Sequence, residues 1–250
     1  MHIKHLISGS SGCAIAVWGM ETMVLIDAGW RSQKAARAAM VDSTKTWPDA
    51  IIASHLHKTD HISYSATKVF AGIPFYVPET QHEGYPIIPD ERVVEPFEPV
   101  TIGEFTWFYS TTKHDPKFET RAIHIKDNEG VTASFCVEGR PLSTTPFLNR
   151  DYLYVEANHN THMLEQFPNP NSWHHMSNEE AGQFIKEVCE RGEIPQHITI
   201  GNISNDRNTR ALALDDVVNE MQFGADFIYV AQRERASKTI QVLPREGDDA

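Results

Sequence analysis

The chain has 250 residues, 40% of them hydrophobic, with 34 acidic against 22 basic side chains and a formal net charge of −12. That length can bury a sizeable core. No apolar run approaches a membrane span, and the acidic balance without any Lys/Arg cluster argues against a surface that tracks long nucleic acid. The odd, scattered Cys13, Cys136 and Cys189 argue against a disulfide framework and for a reducing cytoplasm, and Met1-His2-Ile3-Lys4-His5 does not read as a signal peptide.

His5-Leu6-Ile7 and Ala14-Ile15-Ala16-Val17-Trp18 read as two strands joined by Ser8-Gly9-Ser10-Ser11-Gly12. That small-residue loop is either a plain hairpin turn or a set of backbone N–H groups offered to an anion; no GK[ST] follows, which argues against a nucleotide P-loop. Met23-Val24-Leu25-Ile26 is a buried strand stopping at Asp27-Ala28-Gly29, and an Ala-rich helix is predicted over Gln33 to Met40. Asp27 stands at a strand's C-terminal end, where α/β sheets keep their chemistry, or closes a turn by bonding its own backbone.

Ala50-Ile51-Ile52-Ala53 is the next buried strand, and it runs into Ser54-His55-Leu56-His57-Lys58-Thr59-Asp60-His61. His55 and His57 alternate along an extended backbone, so their rings leave the same side. Asp60 and His61 follow after a turn and approach from another direction. Neutral imidazole with carboxylate suits zinc, iron or manganese better than calcium or magnesium. With thirteen histidines in the chain, a polar loop with surplus imidazoles is the competing reading. Unlike ligand types at such close spacing rarely gather without a metal.

A short helix is predicted over Thr67 to Ala71, then an edge strand over Ile73 to Pro78, since proline cannot serve a central one. The proline-rich stretch from Tyr85 to Pro99 reads as loop, with Glu91, Glu95 and Glu98 solvated. Thr101 to Thr111 has strand composition and ends in Lys113-His114-Asp115-Pro116. Arg121 to Lys126 and Val131 to Val137 form a predicted hairpin, the second strand ending at Glu138-Gly139. Tyr152 to Glu156 is a further strand, running out through Asn158-His159-Asn160. Ser177 and Glu180 make a capping box for a helix over Asn178 to Arg191, whose apolar face is Ala181, Phe184, Ile185 and Val188. Ile198 to Ile200 is a strand ending at Gly201-Asn202; a helix from about Ala211 to Met221 and strands over Phe227 to Ala231 and Thr239 to Leu243 close the chain.

Strand ends carrying Asp27, His55/His57, Asp60/His61, His114, Glu138 and Asn202, in that order, resemble the metallo-β-lactamase fold and its H-x-H-x-D-H motif. More narrowly, the chain resembles the YycJ (WalJ) branch and the related phage anti-Pycsar phosphodiesterases. The matching phrases are Ser8-Gly9-Ser10-Ser11-Gly12, Leu25-Ile26-Asp27-Ala28-Gly29, Glu156-Ala157-Asn158-His159-Asn160 and His175-Met176-Ser177-Asn178-Glu179-Glu180-Ala181, and nearly the whole chain is covered.

The resemblance implies an α/β protein, an αββα sandwich forming one domain over residues 1–250, with a two-ion centre along one edge. Zinc is the expected ion and manganese the substitute. The implied ligands are His55, His57 and His114 for one ion, Asp60 and His61 for the other, Glu138 bridging, and Asn202 at the last position. Asp60 would orient the nucleophile and protonate the leaving oxygen, with His175 or His159 stabilising charge on the phosphate and Ser10, Ser11 and Asn158 contacting substrate. Three departures stand out: an extra residue before Asp60, Glu138 where the family has Asp, and Asn202 where it has His, which weakens the second site.

The resemblance thus implies a cytoplasmic phosphodiesterase (in the host cytoplasm for a phage-encoded chain) acting on a cyclic nucleotide or other small phosphodiester. The alternatives are a 5′-to-3′ DNA exonuclease of the YycJ type and a degenerate homologue that binds a ligand without turning it over. A homodimer and no membrane partner complete the expectation.

Overall fold

The computed structural model describes the chain except residues 10–11, 42–45, 58–60, 80–87, 89, 115–118, 223 and 246–250. Its first half forms β1 (His2–Gly9), β2 (Gly12–Trp18), β3 (Met23–Ile26), α1 (Gln33–Ala39), β4 (Ala50–Ile52), α2 (Tyr64–Val69), β5 (Phe75–Val77) and β6 (Glu91–Val93). The second half forms β7 (Val100–Ile102), β8 (Phe105–Lys113), β9 (Arg121–Lys126), β10 (Thr132–Cys136), β11 (Arg140–Pro141), β12 (Tyr152–Glu156), α3 (Thr161–Gln166), α4 (Asn178–Arg191), β13 (His197–Gly201), α5 (Arg210–Met221) and β14 (Ile228–Val230). A last strand, β15 (Ile240–Gln241), returns to pair with β1.

Among the described residues these strands make two sheets, ordered β15-β1-β2-β3-β4-β5-β6 and β11-β8-β9-β10-β12-β13-β14, with β7 paired to β8. Each strand sends alternate side chains to opposite faces, so each sheet has an inner and an outer apolar face. The inner faces meet: Ile15, Val17, Val24 and Ile52 of the first sheet pack with Trp107, Ile123, Phe135 and Tyr152 of the second. Each such Ile, Val or Phe, fully buried, stabilises by about 1.5–3 kcal/mol relative to exposure. The outer faces are covered by helices, through Ala36 and Ala66 on one side and Ala181, Ile185, Val188 and Val217 on the other. The result is the expected αββα sandwich.

The α4 capping box is present: Ser177 Oγ accepts from Glu180 N at 3.1 Å, and Glu180 Oε2 accepts from Ser177 N at 2.8 Å. Cys13, Cys136 and Cys189 are buried and no disulfide joins them, as their scattered, odd number implied.

Two expectations fail. Phe75–Val77 is not an edge strand, because Pro74 and Pro78 flank the paired residues and β6, in the stretch read as loop, adds outside it. Thr101–Thr111 is not one strand but the hairpin β7–β8, turned where Gly103 takes φ +55° and Glu104 follows. No described helix is long and apolar enough to cross a membrane.

Candidate metal centre

The polar residues converge because the sheets end together. Asp27 follows β3, Ser54 and His55 follow β4, His114 follows β8, Glu138 follows β10, Glu156 ends β12 and Asn202 follows β13. Asp27 and Asn202 hold left-handed backbone, at φ 58° and 51°. Non-glycine residues seldom take that conformation, and Asp and Asn are the types that tolerate it. Gly201, just before Asn202, is confined by contact: a Cβ there would lie 2.2 Å from Tyr154 Oη and 2.6 Å from Ser8 Oγ.

Glu138 is the hub. Its carboxylate, 4% exposed, places Oε2 3.4 Å from His55 Nε2 and 3.2 Å from His114 Nε2, and Oε1 3.0 Å from His61 Nε2. The tautomers follow from the other ring nitrogens. His114 Nδ1 lies 3.2 Å from the His174 carbonyl oxygen, which can only accept, so Nδ1 carries the hydrogen. His61 Nδ1 likewise donates to Asp27 Oδ2 at 2.7 Å. The His114 ring so held turns its Nε2 lone pair onto a buried carboxylate, and His61, with Nδ1 given to Asp27, presents its Nε2 to the same carboxylate. Acceptor facing acceptor needs a cation between them, a proton or a metal ion.

A metal fits. Bonds of about 2.0–2.2 Å from imidazole and carboxylate to a tetrahedral ion give ligand–ligand edges of about 3.3–3.6 Å. The 3.4 Å separation at Glu138 Oε2 falls within that spacing and the 3.2 Å one just short of it. The ligating atoms of His55, His114 and Glu138 lie within 4.8 Å of one another.

A second layer holds the first. Asp27 does not bond its own backbone side chain-wise; it accepts from Ser54 N at 2.8 Å and Ser54 Oγ at 2.9 Å besides His61. Such carboxylate–histidine pairs fix ring orientation at metal sites. Burial would lower the His61 pKa, but Asp27 and Glu138 on its two nitrogens raise it well above the ordinary value. Burial and then the neighbouring His61 ring push His55 well below it, against the pull of Glu138. Glu138 is drawn well below the usual carboxylate range by His61, His175 and His55, although burial works the other way.

Beside this group, Glu156 Oε2 accepts from Gly139 N at 2.8 Å and Met176 N at 3.1 Å, while Oε1 accepts from His175 Nδ1 at 2.5 Å. Burial would lower the His175 pKa; Glu156 and Glu138 overcome that and raise it to about 9. Asn202 Nδ2 donates to Glu138 Oε1 at 2.9 Å and to Glu156 Oε1 at 2.8 Å.

Of the residues singled out by sequence, His55, His61, His114, Glu138, Asn202 and His175 come together. His57 stands alongside, its ring 5.9 Å from that of His55 and nearly parallel to it. Asn158 is buried and donates Nδ2 to Asn202 O at 2.8 Å, and His159 is buried with its Nδ1 unpartnered. Asp60, Ser10 and Ser11 lie outside the described residues. Glu156 was passed over as a site residue. Its signal was a carboxylate closing a run, Tyr152-Leu153-Tyr154-Val155, that is otherwise wholly buried and uncharged.

No protein-family model matches the sequence, and no curated protein matches it. Solved structures do match. The metallo-β-lactamase fold protein YhfI from Bacillus subtilis is 19% identical, with 95% of this chain and 99% of that one covered at a TM-score of 0.70. Zinc-bound PqqB from Methylobacterium extorquens gives 13%, 97% and 100%, and 0.68. Human tRNase Z, short form, gives 12%, 98% and 100%, and 0.66. The chain has the metallo-β-lactamase fold. Its Asp27, His55, His114 and Glu138 follow strands β3, β4, β8 and β10, and His61 joins them from the turn before α2.

Proposed function

We propose that this chain is a metal-dependent hydrolase acting on a small phosphodiester, with a cyclic nucleotide as the substrate class its sequence phrases favour. The observation that carries the reading is the buried Glu138 carboxylate faced by imidazole nitrogens of His55, His61 and His114. Such a donor set is costly to bury without a cation.

A divalent ion held by His55, His114 and Glu138 supplies Lewis-acid activation of water and of a phosphoryl oxygen. The chain's own residues do the rest. His175, raised to about 9, keeps its proton at neutral pH because Nδ1 is held by Glu156. It can stabilise charge on a phosphate oxygen and deliver a proton to the leaving alkoxide. Glu156 is fixed for that task by two backbone N–H groups, from Gly139 and Met176. Asp27 and Ser54 hold His61 against Glu138, so the acceptors do not turn away from the centre.

The net charge of −12 suits a small anion held at a buried centre better than a long polyanion held along a surface. The test is hydrolysis by zinc- or manganese-loaded protein of purine and pyrimidine cyclic nucleotides, bis(p-nitrophenyl) phosphate and end-phosphorylated duplex DNA. Turnover of the small diesters with DNA left intact is the expected result. DNA degradation from one end would establish the exonuclease instead, and no turnover by metal-loaded protein would leave a ligand-binding homologue.

A further inference from the structure

We infer that this chain holds one metal ion rather than a pair, and that the side-chain amide of Asn202 stands in the second position. The inference rests on the metal-dependent reading above and concerns how many ions that reading needs.

Glu138 divides its oxygens between two unlike environments. Oε2 meets His55 Nε2 at 3.4 Å and His114 Nε2 at 3.2 Å, separations that an interposed ion fits. Oε1 meets His61 Nε2 at 3.0 Å and Asn202 Nδ2 at 2.9 Å, which are hydrogen-bond lengths. Asn202 Nδ2 also lies 2.8 Å from Glu156 Oε1. Each amide hydrogen is therefore given to a different buried carboxylate. An amide nitrogen has no lone pair to offer an ion, and the two carboxylate oxygens nearest it among the described residues are already bridged.

The ligating atoms of Glu138, Glu156 and His175 also lie within 4.8 Å of one another. The oxygen nearest His175, however, already accepts its Nδ1 hydrogen at 2.5 Å, so an ion there would have to displace both that donor and the amide. Reversing the amide would set Asn202 Oδ1 at about the same short distance from two carboxylate oxygens, which is repulsive unless a second ion separates them. Nor is Asn202 free to swing. Its N–H donates to Ser8 Oγ at 3.1 Å, its carbonyl accepts from Asn158 Nδ2 at 2.8 Å, and its backbone is in the left-handed region. In this half of the centre, the amide and the His175–Glu156 pair do by hydrogen bonding what a second cation would do by charge.

Counting ions tests this without relying on turnover. The protein is loaded with excess zinc, desalted, and measured by native mass spectrometry and elemental analysis, beside Asn202→Asp and Asn202→His. One ion per wild-type chain is expected, rising to two in either variant, where a carboxylate or an imidazole replaces the donor. Two ions in the wild type, or one in both folded variants, would overturn the role given to Asn202. No ion in the wild type would instead remove the metal-dependent reading itself. The wild-type count needs no variant to fold.

Discussion

Glu138→Gln separates the metal centre from the fold that carries it. The substitution keeps the shape of a side chain that is 4% exposed and faces three imidazoles, and it removes the charge. Without metal the change also destabilises, because the buried His61, which Asp27 and Glu138 together hold, loses one of its two charge partners. With metal the loss is large. An ion that binds only the folded chain, present at a thousand times its Kd, stabilises by about 4 kcal/mol. For a chain of this size that corresponds to roughly 8–16 °C in Tm, at about 2–4 °C per kcal/mol. The assay is thermal unfolding of both proteins in zinc and in chelator. Wild type should show that gap and Glu138→Gln should show almost none, whatever its Tm in chelator, because the gap and not the absolute Tm reports the bound ion. A variant that keeps the full gap would refute the assignment of Glu138 as the shared ligand.

His175→Ala should lower kcat by about two to four orders of magnitude, the usual worth of a positioned proton donor, with the bound metal count unchanged. Gly201→Ala should destabilise by about 1–3 kcal/mol in chemical denaturation, since the new methyl meets Tyr154 Oη and Ser8 Oγ inside contact distance. A pH effect is expected away from the centre, at His5, whose fully buried ring is pushed down to about 3 by desolvation while its Nε2 bonds Tyr152 Oη at 2.6 Å. Between the ordinary value of about 6.5 and that lowered one, the unfolded chain holds a proton the folded chain does not, so stability falls as pH drops, by up to about 1.4 kcal/mol per unit. His5→Gln should flatten the denaturation-midpoint slope across that window by one proton's worth.

The sandwich was readable because its signals are local and redundant. Unbroken apolar runs such as Met23–Ile26 and Tyr152–Val155 become strands buried on both faces, and Ser177 with Glu180 marks the start of α4. What misled was local chemistry settled by neighbours. Pro74 and Pro78 looked disqualifying for an inner strand, yet the three paired residues lie between them. Gly103 hid a tight turn inside a stretch of uniform strand composition.

At the centre, the histidines announced themselves by residue type, whereas the partners that orient them did not. Nothing in the spacing of Asp27 and His61, thirty-four positions apart, says that one holds the other; the parallel pairing of β3 with β4 does that. Glu156 was equally silent, because a single carboxylate at a strand end acquires its role only when β10 beside β12 brings Gly139 N to it and the segment before α4 brings His175. Asn202 was read as a weak ligand by analogy of position. The structure shows its nitrogen, not its oxygen, turned toward the carboxylates.

The central claim is that the buried imidazoles and Glu138 enclose a metal ion. An anomalous-difference map, collected at the zinc edge from crystals of zinc-loaded protein, tests it most directly. The account predicts a peak about 2.0–2.2 Å from His55 Nε2, His114 Nε2 and Glu138 Oε2. A featureless map at that position, from crystals whose protein was saturated with zinc, would contradict it.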